Sequence, residues 1–195
     1  MAFSSSEGKK FFEDWLFHVM AAGHIKKILD IGVGAGAYGE IANKVCRDVQ
    51  QWVPNIKNEF IIRAVEVYKP FIAQYKLLDK YTSVISQDIR EYVKDLDDFD
   101  LIILGDVLEH LTKDDAIDLF FKLKSKTKFI WLSIPVRPFY PWQVGYDQGS
   151  HEWEVNKYEE HLYYWKYDEL ITELGPFLTT VQYPVVSVFI ARGAL

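Results

Sequence analysis

The sequence predicts an α/β fold: a doubly wound, seven-stranded, mostly parallel sheet with an antiparallel last strand. Three observations carry that expectation. Five short apolar runs alternate with segments of helical periodicity, the order expected of successive β-then-α units. Those runs are apolar almost without interruption, as strands covered on both faces must be. Two closing runs, FLTTVQY and VVSVFIAR, are separated only by Pro184 and read as an antiparallel pair.

The elements follow in order. KKFFEDWLFHVMAA (9–22) places Phe12, Trp15, Leu16 and Val19 at helical spacing and is ended by Gly23. IKKILDI (25–31) is the first strand, and residues 37–51 form a helix with Ile41, Val45 and Val49 on one side. EFIIRAVEV (59–67) is the second strand. A helix from about Pro70 to Lys80 follows it, with proline suited to the first turn. TSVISQD (82–88), the short helix IREYVKDL (89–96) and FDLIILGD (99–106) come next. The helix Lys113–Lys124 turns Ala116, Leu119, Phe120 and Leu123 to the core, and KFIWLSIP (128–135) is the fifth strand. An aromatic, irregular insert covers about 136–165, and a helix runs around Tyr167–Leu174. With no internal repeat or low-complexity linker, residues 1–195 are expected to form one domain.

Composition narrows the function. Apolar residues make up 49% and charged residues 26%, which is the balance of a chain that folds. A net charge of −6 argues against broad binding to nucleic acid or anionic membrane, both of which need a basic face. The single cysteine, Cys46, excludes an intramolecular disulfide and a cysteine-built metal cage, and it is expected in the core. No apolar run approaches the roughly 18 residues of a membrane span, and the first residues lack a signal peptide's apolar stretch, so the cytoplasm is the expected location.

In doubly wound sheets ligands sit at the carboxyl ends of the strands. Each of the first four strands ends there in an acid: Asp30 with Gly32, Gly34 and Gly36, then Glu66, then Asp88, then Gly105-Asp106. Alternate glycines let backbone approach a ligand closely. A carboxylate can accept from a pair of hydroxyls through charge-assisted bonds. Gly32, Gly34 and Ala37 also satisfy the dinucleotide fingerprint, with Glu66 as a possible ribose acid. Asp30 would repel a pyrophosphate, however, and would welcome a cationic ligand.

ILDIGVGAG resembles the first motif of class I S-adenosylmethionine-dependent methyltransferases, and AVEVY, SQDI and FDLIILGDVLEHL resemble their second, third and fourth. The resemblance covers residues 25 to about 135. It implies a Rossmann-like methyltransferase fold, with the seventh strand inserted between the fifth and sixth, and S-adenosyl-L-methionine as cofactor. It implies that Asp30, Gly32, Gly34 and Gly36 border the methionine part of that cofactor and that Glu66 holds the ribose hydroxyls. Asp88 and Ile89 would face the adenine, and Gly105 and Asp106 the sulfonium. Glu66 lies 30 residues beyond Gly36 (66 − 36), so VQQWVPNIKN (49–58) must supply a longer helix end and loop.

The implied activity (EC 2.1.1.-) is methyl transfer to oxygen or nitrogen of a small polar or sugar-like acceptor. The two other readings are a non-catalytic binding or partner subunit of the same fold and an NAD(P)-dependent oxidoreductase. Candidate bases are His110, His151 and His161, with Asp106 and Glu109 nearby in sequence; His110 and His151 are the catalytic candidates. Arg137, Tyr140, Trp142, Tyr146 and Trp153 are candidates for lining the acceptor pocket. H-E-x-x-H is absent around His151 and His161, so no metal is expected.

Overall fold

The computed structural model describes residues 6–54, 56, 59–136, 156–184 and 186–195. Its helices are α1 (Lys9–Ala21), α2 (Ala37–Trp52), α3 (Lys69–Gln74), α4 (Ile89–Tyr92), α5 (Lys113–Lys124) and α6 (Tyr167–Leu174). Its strands are β1 (Lys27–Ile31), β2 (Ile61–Val65), β3 (Ser83–Ile85), β4 (Phe99–Gly105), β5 (Thr127–Ile134), β6 (Thr179–Gln182) and β7 (Ser187–Arg192). They form one seven-stranded sheet in the order β3-β2-β1-β4-β5-β7-β6. The first five strands pair in parallel, and β7 runs antiparallel between β5 and β6. Strand order reverses between β1 and β4, which is where such sheets hold ligands.

Side chains alternate along the central strands and feed two cores. Ile28, Leu101, Ile103 and Trp131 pack beneath α1 and α2. Leu29, Ile102, Leu104, Ile130 and Leu132 pack against residues of α4, α5 and α6. This explains why the strands carry unbroken apolar runs. Cys46 lies in the first of these cores, and burial pushes its thiol up to about 12, so it is packing material and no nucleophile.

Local chemistry sets the helix ends. Thr112 accepts from the Asp115 amide at 3.2 Å, Asp114 and Asp115 occupy the first turn of α5, and Lys122 and Lys124 the last. That distribution complements the helix dipole. Asp88 caps α4 in the same way, accepting from the Arg90 amide at 2.9 Å. The helix expected from Pro70 to Lys80 is shorter. It ends at Gln74, and a single 3-10 turn covers Leu77–Asp79 after Lys76 adopts a left-handed φ of 50°. The break drops Leu77 into the core and turns Lys80 and Tyr81 back beneath the loop after β1. The segment 89–96 is likewise α4 followed by a 3-10 turn.

The first helix is clamped by aromatic contacts. Phe12 is fully buried, 4.8 Å from the Trp131 ring and edge-on to Tyr38 at 5.0 Å. No helix among the described residues is long and apolar enough to cross a membrane. Phe12→Ala removes a ring from this filled space and is expected to cost about 3–5 kcal/mol, read as a lower denaturant midpoint with an unchanged slope.

Candidate functional site

The loop after β1 builds the floor of the site. It passes through left-handed φ values at Gly32 (64°), Gly34 (50°) and Gly36 (80°), a sequence of turns open mainly to glycine. The Gly32 amide donates to the Val65 carbonyl at 2.9 Å, tying the loop to β2. Lys80 Nζ donates to the Ala35 carbonyl at 2.7 Å and pairs with Glu40. Below the loop Asp30 is only 2% exposed, and the Tyr81 hydroxyl donates to its Oδ2 at 2.6 Å. Burial lifts the Asp30 carboxyl to about 7 even though the Tyr81 bond favours the charged form.

Glu66 follows the end of β2 and is 4% exposed. One of its oxygens accepts from the Gly34 amide at 3.1 Å and the other from the Tyr68 amide at 2.8 Å. It therefore staples the glycine loop to the neighbouring strand end. Burial raises its carboxyl above the ordinary range, and the two amides oppose that shift.

Asp88 is engaged more fully than expected. Arg90 grips it through Nη2 at 2.6 Å and also through Nε, which holds its carboxyl below the usual range. Ile89 beside it is buried in the second core. At the end of β4, Gly105 has no room for a side chain, because a Cβ there would meet the Tyr38 ring at 2.3 Å. Packing against Tyr38 is therefore sufficient on its own to require glycine at this position. Asp106 holds a left-handed φ of 57°, a region that Asp enters more readily than most residues with a side chain. Burial raises its carboxyl, while Lys9 at the start of α1 and Ser133 pull it back. Lys9 Nζ also lies 5.6 Å from the Tyr38 ring.

A second group stands beyond β4. Glu109 is 1% exposed, and neither of its carboxylate oxygens has a hydrogen-bond partner among the described residues. Its carbonyl accepts from the Leu162 amide at 2.8 Å and the Tyr163 amide at 3.1 Å, strapping residues 156–165 across this end of the sheet. His110 Nδ1 lies 3.1 Å from the Glu160 carbonyl, which can only accept, so Nδ1 carries a proton and, in the neutral ring, Nε2 the lone pair. The His110 and His161 rings stand 4.8 Å apart at 75°. Glu159, on the same strap, is close enough to raise the carboxyls of both Glu66 and Glu109.

The structure thus gathers Asp30, Gly32, Gly34, Gly36, Glu66, Asp88, Ile89, Gly105, Asp106 and His110 along the carboxyl ends of β1–β4. Arg137, Tyr140, Trp142, Tyr146, His151 and Trp153 lie outside the described residues. Sequence reasoning did not anticipate Lys9, Tyr81 or Glu159 at the rim, nor that His161 would stand beside Glu109 and His110.

No protein-family model matches the chain, and no curated protein matches it. Solved structures do. The N-terminal domain of EvdMO1 with S-adenosylhomocysteine bound aligns with a TM-score of 0.61 at 13% identity, over 98% of this chain and 83% of that one. Magnesium protoporphyrin IX methyltransferase from Synechocystis PCC 6803, also with S-adenosylhomocysteine bound, gives 0.63 at 12% identity over 95% and 83%. The small RNA methyltransferase HEN1 gives 0.62 at 16% identity, over 99% of this chain but 26% of that one. The chain therefore has the Rossmann-like fold of class I methyltransferases, with the seventh strand placed between the fifth and sixth as the sequence resemblance implied.

The Asp30 shift has a measurable consequence. A folded carboxyl at about 7 against about 3.9 unfolded means the folded state keeps a proton the unfolded chain has lost. This stabilising contribution is complete below pH 4 and disappears as pH rises through 7. Asp30→Asn keeps an acceptor for Tyr81 and removes the charge. The ligand-free variant is expected to melt above the parent at pH 8 and to show a flatter melting profile between pH 4 and 8. Identical profiles for the two proteins would contradict the assignment.

Proposed function

We propose that this chain is an S-adenosylmethionine-dependent methyltransferase acting on oxygen or nitrogen of a small polar or sugar-like acceptor. The observation that carries the reading is the row of poorly solvated carboxylates along one rim of the sheet, at the point where strand order reverses. A ligand with a sulfonium and an ammonium group restores the charge balance that burial has upset. Neighbours of the same fold that hold S-adenosylhomocysteine support the choice of ligand.

The roles proposed here are those that the sequence resemblance implies. Asp30 and the glycine loop border the methionine part. Glu66 spends one lone pair of each oxygen on the Gly34 and Tyr68 amides and has others for the ribose hydroxyls. Asp88, fixed by Arg90, and the apolar Ile89 take the adenine end. Gly105 and Asp106 face the sulfonium. In the reaction the carbon–sulfur bond breaks with its electron pair going to sulfur, the methyl passes to the acceptor heteroatom, and the acceptor loses a proton. The donor is already activated, so alignment carries most of the catalysis. His110 is the first candidate for the base that receives this proton, and His151 is the second.

Calorimetry with S-adenosylhomocysteine tests the reading. One molecule is expected to bind per chain, and Glu66→Ala should weaken binding at least tenfold, since each charge-assisted bond contributes about 1.5–3 kcal/mol. No binding of this product, combined with enhanced NADH fluorescence on mixing, would replace the methyltransferase reading with the oxidoreductase one.

A further inference from the structure

We propose that Glu109, His110 and His161 form a site for one divalent transition-metal cation at the acceptor end of the cleft. One ligand atom from each lies within 4.8 Å of the other two. Around a cation bound at about 2.0–2.2 Å, ligand atoms sit roughly 3–3.5 Å apart, so small side-chain rotations close the shell.

Glu109 supplies the strongest argument. A carboxylate removed from water with neither oxygen hydrogen-bonded is costly and rare. A proton alone would still leave one of its oxygens without a donor. A cation would neutralise the carboxylate and give the coordinating oxygen a partner. The His110 imidazole is prepared in the way metal-binding histidines usually are: with Nδ1 on the Glu160 carbonyl the ring is fixed, and Nε2 is the nitrogen that would ligate a cation. The Leu162 and Tyr163 amides on the Glu109 carbonyl hold the strap, and so the His161 backbone, against residue 109.

Two imidazoles and one carboxylate suit Zn²⁺, Mn²⁺, Fe²⁺ or Co²⁺ better than Mg²⁺ or Ca²⁺, which prefer all-oxygen shells. Three protein ligands leave a position open for an outside group. If the methyltransferase reading holds, on which this last step rests, that position takes an acceptor hydroxyl and lowers its pKa, as metals do for bound water. His110 then acts on the acceptor through the ion, and oxygen is the favoured acceptor atom.

The test uses the full chain stripped of metal, titrated with Co²⁺ by calorimetry and followed in the visible spectrum. One Co²⁺ per chain with intense tetrahedral or five-coordinate bands is expected. Glu109→Gln, close in shape to the parent, and His161→Ala should each weaken binding at least tenfold. His24→Ala, at an exposed position far from the cluster in sequence, should leave it unchanged. No saturable binding to the parent protein, or equal binding to the parent and both cluster variants, overturns the site. S-adenosylhomocysteine binding is measured on the same samples. Its persistence without a cation signal refutes the metal site alone, whereas its loss alongside intact cation binding refutes the methyltransferase reading alone.

Discussion

Carboxylates held out of water along one rim of a parallel sheet impose the conditions that the surrounding structure has to meet. An ionised carboxylate in an apolar setting is tolerated only with donors or an opposite charge close by. Four of these acids have a remedy. Asp30 has the Tyr81 hydroxyl, Glu66 has two backbone amides, Asp88 has the Arg90 guanidinium, and Asp106 has Ser133 with Lys9 nearby. Glu109 has none among the described residues. The remedies for Asp30, Glu66 and Asp106 are partial, since all three carboxyls still titrate above their ordinary range. Positive charge brought to this rim would relieve what these partners leave undone.

The scaffold keeps that rim rigid. β1 and β4 lie side by side at the centre of the sheet, each with neighbours on both sides and helices on both faces. The Tyr38 ring closes directly onto Gly105 and meets Phe12, so the end of β4 is braced by the start of α2 and by α1 together. The loop after β1 is held by bonds to β2, to Glu66 and to Lys80, which leaves its glycines in one conformation despite their intrinsic freedom. Preorganisation of this kind would serve the methyl transfer proposed above, in which the reactants must be lined up before the bond shifts.

Much of this was legible in the residues. Short, nearly unbroken apolar runs such as LIIL (101–104), alternating with helical patterns, read as strands covered on two faces, and the acids and glycines that follow them are local features of short stretches. Thr112 and Asp88 signal helix starts because their side chains cap within the next few residues. What was hidden is non-local or conformational. Lys76 carries no sign that it will take a left-handed φ and end α3 early. Tyr81 reaches Asp30 across 51 residues of sequence, and only the packed turn at Leu77–Asp79 delivers it. Glu109 reads as an ordinary loop acid until strands and strap close over it. The approach of His161 depends on two backbone bonds to a carbonyl, which no side-chain pattern announces.

The reversed direction of β7 has a bearing on how such a protein can diversify. β6 runs toward the carboxyl rim, and the chain turns there, with the Tyr183 amide on the Val186 carbonyl, before β7 carries it away again beside β5. A parallel arrangement would have sent the connection to the opposite rim. Instead this bend arrives next to Gly8, where Tyr183 and Val188 crowd the entrance to α1. A change of length at this bend falls outside the pairing of β1 with β2 and β4, so the turn and the rim that carries the glycine loop can vary independently of each other.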